Sequence, residues 1–165
     1  MLTIGAVETS AGRYHAVFTR RGLARLSFPT DDPATCEQWR QRWAPAAALA
    51  PDDPRLTELA AQLDAYFAGR LREFSVPLDL HGTPFQRRVW EAVLGVGYGE
   101  RRSYAAVAEA IGAPRAFRAV GAANGANPVP ILVPCHRLVG ADGRLVKYGG
   151  GLATKQRLLE LEAQG

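Results

Sequence analysis

The chain has 165 residues, 47% of them hydrophobic, which is enough to bury a core and excludes disorder as the default state. No apolar run approaches the roughly 18 residues of a membrane span, and the N-terminus lacks the basic and apolar regions of a signal peptide. The formal net charge of +4 is uneven, because residues 1–82 carry nine basic and ten acidic side chains (net −1) while residues 83–165 carry eleven and six (net +5). We therefore expect no membrane association, and a polyanion contact in the second part.

The first part predicts a small antiparallel sheet with a helix. Residues 1–28 are β-prone segments interrupted by Gly12 and Gly22, a pattern typical of a meander. A short helix is predicted around 37–43. From Arg55 onward apolar residues fall at helical spacing until Gly69, which predicts a longer amphipathic helix. We assign residues 1–82 to an N-terminal domain of sheet, helix and connecting loop.

The second part, residues 83–165, predicts a mostly helical domain. Thr83 can cap a helix and complete a capping box with Gln86. Ser103 can cap a second helix that ends at Gly112. A third helix is predicted from Pro114 or Arg115 to about residue 124, and the last two make a helix-turn-helix candidate. The fold class is therefore α/β, of the α+β kind.

The stretch "GANPVPILVPCHRLVG" holds the most unusual chemistry of the chain. Its apolar residues predict a strand that leads to Cys135, followed by a hairpin with its turn at residues 141–143 and a last helix after "YGGG". The only other cysteine is Cys36, so a structural zinc site of four cysteines is excluded, and reduced thiols in the cytoplasm are expected.

The pair of Cys135 and His136 has two interpretations from the residues alone. A free thiol with a pKa of about 8.5 needs a base to become a nucleophile, and His136 could serve if an acid held its other ring nitrogen. Glu162 or Glu160 of the last helix could supply that acid. Alternatively, Cys135 is a small buried apolar side chain. A papain-like protease and a metal site are both disfavoured by the spacing and the scarcity of ligands, so we expect no metal and no cofactor.

The motif "VPCHRLVG", with "RAVGAANGANPVPIL" before it and "YGGGLATKQRLLELE" after it, resembles the active-site region of O6-alkylguanine-DNA alkyltransferases. The resemblance extends from Gly82 to about Glu162, roughly half of the chain, and includes "GTPFQRRVWEAVLGVGYGE" and "SYAAVAEAIG". It implies a DNA repair protein that flips a damaged base out of the duplex and moves its alkyl group, once, onto Cys135.

The resemblance also implies roles for further residues. His136 acts on the thiol through a water and is held by Glu162, which the resemblance favours over Glu160. Asn127 bridges the helices and the cysteine segment, and Tyr104 lies beside the flipped nucleotide. Arg118 fills the space that the base vacates. The other residues implied in contacts with DNA or the base are Ala119, Ala122, Asn124, Pro130, Leu138, Tyr148, Gly149 and Lys155.

The partner implied is double-stranded DNA containing O6-alkylguanine, bound by a monomer, with cooperative binding along DNA left open. Lys147 stands where bacterial relatives often have glycine, and it could narrow the pocket or contact a phosphate. Two alternatives are a lesion-binding protein without repair activity, which would lack Cys135, and a helix-turn-helix regulator. The alanines of the second helix disfavour the regulator, because reading the major groove requires longer polar side chains.

Overall fold

The first 27 residues form a three-stranded antiparallel sheet in the order β1-β2-β3. In the computed structural model, which describes residues 1–165 in full, β1 spans Thr3–Thr9, β2 spans Gly12–Phe18 and β3 spans Leu23–Ser27. The register pairs Thr9 with Gly12 across a two-residue turn. Gly12 has a φ of 118° there, which residues with a side chain rarely adopt. The predicted meander is confirmed.

Two helices complete the first compact unit, Met1–His81. Helix α1 spans Thr35–Trp43 and helix α2 spans Pro54–Phe67. The carboxylate of Asp53 caps α2 by accepting from the backbone N–H of Arg55 at 3.0 Å. The buried side chains of α2 pack against β1, and Cys36 of α1 lies in the core as a free thiol. This unit is the sheet with helices that the sequence predicts.

The second compact unit, Gly82–Gly165, is mostly helical. Its helices are α3 (Pro84–Leu94), α4 (Tyr104–Ala110), α5 (Phe117–Gly125) and α6 (Leu152–Gln164). Two strands of two residues each, β4 (Arg102–Ser103) and β5 (Leu138–Val139), pair in parallel. None of the helices in the chain has the length and apolarity that a membrane span requires.

Helices α3 and α4 each begin at a residue whose side chain caps the first turn. The Thr83 hydroxyl accepts from the backbone N–H of Gln86 at 3.1 Å, and the Gln86 side chain accepts from the N–H of Thr83 at 3.0 Å, so the predicted capping box is present. Ser103 caps α4 by accepting from the N–H of Ala106 at 3.0 Å. The indole of Trp90 donates to the carbonyl of Ala123 at 2.8 Å and so ties α3 to α5.

Helix α5 begins two to three residues later than predicted. The segment before Phe117 is a turn, closed by a hydrogen bond from the N–H of Ala116 to the carbonyl of Ala113 at 2.9 Å. The N–H of Ala113 bonds back to the carbonyl of Ala108 at 2.9 Å and closes the end of α4, where Gly112 has a φ of 77°. The pairing of α4 and α5 across this turn is the predicted helix-turn-helix.

The apolar segment before Cys135 is not the predicted strand. Ile131 has a φ of 74°, and the N–H groups of Leu132 and Val133 bond back to Pro130 and Val129 at 2.9 and 3.0 Å. The segment is a tight buried loop, because its prolines lack the donors of a strand ladder and its apolar side chains are buried on all sides.

The predicted hairpin after Cys135 is also wrong. A turn at residues 141–143 is present, and the N–H of Gly140 bonds to the carbonyl of Arg144 at 2.8 Å. No second strand follows, however, because β5 pairs with β4 instead. Cys135 itself begins one turn of 3₁₀ helix, Cys135–Arg137, between the loop and β5.

Candidate active site

Cys135 lies at the junction of the buried loop and the 3₁₀ turn, with 6% of its surface exposed. Its N–H donates to the carbonyl of Val133 at 2.7 Å, and its carbonyl accepts from Asn124 Nδ2 at 3.2 Å. Burial raises the pKa of the thiol to about 11, against the opposing effects of a hydrogen bond with Asn127 and the positive charge of Lys155. At neutral pH the resting thiol is therefore protonated, and a nucleophilic role requires a base.

His136, which follows Cys135 on the 3₁₀ turn, forms a buried pair with Glu162. The Nε2 atom of His136 lies 2.7 Å from Oε2 of Glu162, and the two residues are 0% and 3% exposed. Burial lowers the pKa of His136 below its ordinary value, while the contact with Glu162 opposes that shift. Because the carboxylate accepts, Nε2 carries the proton of the neutral ring, and a second proton would go to Nδ1.

The structure decides between the two acids that the residues alone left open. Glu162 faces His136 from α6, whereas Glu160 is exposed and accepts from Gln156 at 3.0 Å. The two glutamates are two positions apart on a helix and so project about 200° from each other, which puts only one of them on the buried face.

Arg137 is a buried member of the cluster to which the sequence analysis assigned no role. Its Nε donates to Oε1 of Glu162 at 2.8 Å and its Nη2 donates to Oε2 at 3.0 Å, a two-pronged contact with the carboxylate. Its Nη1 donates to the carbonyl of Val96 at 2.6 Å. The signal available in the sequence was an arginine directly after the histidine in an otherwise apolar segment.

Lys155 lies beside the thiol instead of on the surface. It is completely buried, and its Nζ donates to the carbonyls of Leu138 and Lys147 at 2.6 and 3.2 Å. Burial lowers the pKa of its ammonium, and the nearby Cys135 thiol opposes the shift. Lys155 was predicted among the contacts with DNA or the base. Because its ammonium is bonded to two backbone carbonyls, it does not extend from the surface as a phosphate contact would, and its contact with the base stays a prediction.

Two asparagines shape the backbone around Cys135. The Nδ2 of Asn127 donates to the carbonyl of Val133 at 2.9 Å, and its Oδ1 accepts from the N–H of Val129 at 3.0 Å, so this side chain closes the loop. Asn124 is 6% exposed and points from α5 to the Cys135 carbonyl. It anchors the cysteine backbone, and its predicted contact with DNA or the base stays a prediction.

The remaining residues of the predicted base site lie at different depths. Pro130 and Leu138 are buried, and Tyr104 and Tyr148 are partly exposed. The Tyr104 ring lies 5.9 Å from Nζ of Lys155, and burial raises the pKa of its phenol. The Tyr148 ring lies 6.4 Å from the His136 ring. Gly149, which follows Tyr148, is exposed. Lys147, which stands where bacterial relatives often have glycine, is exposed as well.

The exposed face of α5 carries small side chains around one cation. Arg118, Ala119 and Ala122 are exposed, whereas Val120 and Ala123 face the core. Further exposed arginines in this unit are Arg87, Arg88, Arg101, Arg115, Arg144 and Arg157. Arg88 is engaged within the protein, since its guanidinium donates to the carbonyl of Ile111 at the end of α4.

The fold and the site together define a class of protein: an α+β protein whose helical unit joins a helix-turn-helix pair to a buried cysteine, held beside a histidine–glutamate pair. Two family models match the chain. Residues 5–80 match the ribonuclease-like domain of 6-O-methylguanine DNA methyltransferase, and residues 84–164 match the DNA binding domain of the same family. No group of three or more potential metal ligands occurs in the structure.

Individual relatives agree with the family models. The chain is 59% identical over 112 residues to the methylated-DNA–protein-cysteine methyltransferase of Mycobacterium leprae, covering 68% of each. It is 55% identical over 128 residues to the Mycobacterium tuberculosis protein of the same name, covering 78% of this chain and 74% of the relative. The crystal structure of Mycobacterium tuberculosis OGT in complex with DNA superposes with a TM-score of 0.83 at 43% identity, covering 98% of this chain and 93% of that one. The chain belongs to the family of methylated-DNA–protein-cysteine methyltransferases.

Proposed function

We propose that this protein repairs O6-alkylguanine in double-stranded DNA by moving the alkyl group, irreversibly and once per molecule, onto Sγ of Cys135. The observation that carries this proposal is that the buried Cys135 directly precedes, on the same 3₁₀ turn, the His136 that pairs with Glu162. The chain's membership in a family whose relatives bear the name methylated-DNA–protein-cysteine methyltransferase supports it. A thiol with a pKa of about 11 is inert without such a base.

The transfer step is a nucleophilic substitution at the alkyl carbon. His136 accepts the thiol proton through a bridging water, and Glu162 stabilises the imidazolium that forms. Sγ then bonds to the alkyl carbon, the bond from that carbon to O6 breaks with its electron pair going to the base, and a proton returns to guanine. Alkyl group and proton exchange places, so the step balances. No group in the site can cleave a thioether, which explains why each molecule acts once.

Access to the target atom requires base flipping, because O6 lies inside the base stack. We propose that α5 enters the minor groove, since its exposed face carries Ala119 and Ala122, which permit close backbone approach. Arg118 fills the space left by the flipped base. Tyr104 lies beside the nucleotide, whose base is enclosed by Pro130, Leu138, Tyr148 and Gly149. A minor-groove reader discriminates little sequence, which suits repair at any position. The likeness to a structure in complex with DNA supports this mode of binding.

We also propose that residues 83–165 form the DNA-binding and alkyl-accepting domain, and that the protein works as a monomer in the cytoplasm, where its two thiols stay reduced. Sedimentation velocity with and without a long duplex tests the monomer. A single species with the mass of one chain, 17.8 kDa, is expected without DNA, and a species of twice that mass would contradict the monomer. The number of molecules bound per duplex as protein is added measures any cooperativity.

Intact-protein mass spectrometry tests the function directly. The protein is mixed with an equimolar duplex that contains one O6-methylguanine, and wild type is compared with Cys135→Ser and with Cys36→Ser as a matched control. We expect a gain of one methyl group, on Cys135 only, in wild type and Cys36→Ser, and no gain in Cys135→Ser. Tight binding of the modified duplex without any mass gain would make the protein a lesion-recognition module and would refute the proposal.

A further inference from the structure

The Glu162 carboxylate contacts Arg137 and the backbone of Gly99 as well as the base, His136. Oε2 contacts His136 Nε2 at 2.7 Å and Arg137 Nη2 at 3.0 Å. Oε1 accepts from Arg137 Nε at 2.8 Å and from the N–H of Gly99 at 3.3 Å. The carboxylate is 3% exposed and is therefore compensated by these groups in place of water.

This sharing creates a conflict for the base. A buried carboxylate 2.7 Å from an imidazole favours the protonated ring, and a ring that is already protonated cannot accept a proton from the Cys135 thiol. A guanidinium on the same carboxylate opposes that effect, because its charge is permanent and it offsets the negative charge that His136 would otherwise meet.

We propose that Arg137 is a positioning residue that keeps His136 neutral, and so able to take up the thiol proton, by sharing the Glu162 carboxylate in a two-pronged contact. The proposal rests on the proposed function of His136. It explains why an arginine is buried beside a pair that would already suffice to orient the ring.

The other groups around His136 act in the same direction as Arg137 or are neutral. Lys155 faces it from α6, Cys135 and Arg137 flank it on the 3₁₀ turn, and the Tyr148 ring approaches to 6.4 Å. The pKa of His136 is lowered by burial first, raised by Glu162, and lowered again by the charges of Arg137 and Lys155. Glu162 is thus the group that favours protonation, and Arg137 is its direct competitor.

The Arg137 guanidinium also fixes the position of the Glu162 carboxylate, because its Nη1 donates to the carbonyl of Val96 at 2.6 Å. A merely structural role would consist of this anchoring alone. The two roles differ in their pH dependence, because loss of anchoring slows repair at every pH whereas protonation of the base slows it in acid only.

Single-turnover repair of an O6-methylguanine duplex between pH 5.5 and 8.5 separates these roles. With Arg137→Gln we expect the acid limb of the rate profile to move to higher pH, so that the loss relative to wild type is at least tenfold at pH 6 and clearly smaller at pH 8.5. Arg137→Lys keeps the charge, so its loss should be similar at all pH values. An equal fractional loss across the range for Arg137→Gln would overturn the proposal.

A second readout does not depend on repair. Side-chain NMR titration of ¹³C-labelled histidine in the free protein follows His136, with His15 and His81 as internal references. We expect His136 to titrate at a higher pH in Arg137→Gln than in wild type. An unchanged titration would refute the proposal. Failure of wild type to accept a methyl group would refute the proposed function alone, since the titration can still be measured.

The double variant Arg137→Gln/Glu162→Gln covers the case in which Arg137→Gln alone does not fold, because it leaves no uncompensated buried carboxylate. With the carboxylate gone, His136 should stay neutral, and its titration should not move to higher pH than in wild type. A move to higher pH in the double variant would contradict the proposal.

Discussion

The ammonium of Lys155 is a positive charge that lowers the pKa of the Cys135 thiol against the effect of burial. Both of its hydrogen bonds go to backbone carbonyls, those of Leu138 and Lys147, so its charge is not offset there by a carboxylate. An uncompensated cation in a buried site stabilises an anion strongly. The thiolate that must form during transfer is the anion within its reach.

Lys155→Met tests this effect. Loss of the charge should raise the pKa of Cys135 further above its already elevated value and slow single-turnover methyl transfer by about tenfold or more, since one pKa unit corresponds to a tenfold change in the thiolate fraction. The measurement is the rate of methyl uptake by mass spectrometry. Lys155→Arg, which keeps a cation, should lose less. Equal rates for wild type and Lys155→Met would contradict the electrostatic role.

At the scale of elements, α5 serves two surfaces at once. Val120 and Ala123 bury one side of the helix, and Asn124 reaches from its last turn to the Cys135 carbonyl. The opposite side is exposed and is built from small residues around Arg118. The same helix thus holds Cys135 in place and presents the surface that we propose for DNA.

Ala122→Glu should separate these two surfaces. The phosphates repel the added carboxylate, and the larger side chain keeps the helix backbone away from the DNA. We therefore expect affinity for duplex DNA to fall by tenfold or more at low salt. The folded core should be unaffected, because Ala122 is exposed. Fluorescence anisotropy with a labelled duplex measures the affinity. Ala61→Glu on the exposed face of α2 changes the net charge equally and serves as control, and equal losses in both variants would contradict a specific role of α5.

For the whole molecule, the buried thiol has a consequence for stability. Its pKa is about 11 in the folded protein, against an ordinary value of 9.0. A group whose pKa is raised by folding stabilises the protein below its unfolded value, and this contribution is lost as pH rises toward the folded value. The folded protein should therefore lose stability relative to the unfolded chain between about pH 9 and pH 11.

Comparison of wild type with Cys135→Ala isolates this contribution. The free energy of unfolding of wild type should fall more steeply over this pH range, by up to about 1.4 kcal/mol per pH unit, because only wild type carries the titrating thiol. Urea unfolding at several pH values provides the measurement. Cys36 is present in both proteins, so its own titration cancels. Parallel curves would show that Cys135 keeps an ordinary pKa after folding.

Much of this architecture was predictable because it depends on neighbours in the chain. The capping box of Thr83 and Gln86, the cap at Ser103 and the turn at Gly12 are each decided within a few residues. The amphipathic spacing of α2 likewise reports which face is buried. The reactive pair, too, was visible in the motif around Cys135, since its resemblance to a known family is a property of the residues themselves.

Contacts between residues that lie far apart in the sequence were decided by the tertiary structure alone. The choice of Glu162 over Glu160, the burial of Lys155 and the two-pronged contact of Arg137 depend on how α6 packs on the 3₁₀ turn and the residue after it. The paired residues are 17 to 26 positions apart along the chain. The loop before Cys135 looked like a strand, because a buried loop and a buried strand have the same apolar composition. The spacing of apolar residues in the sequence indicates which residues are buried. The backbone conformation of a buried segment and the partners of its charged side chains are determined by contacts between distant segments.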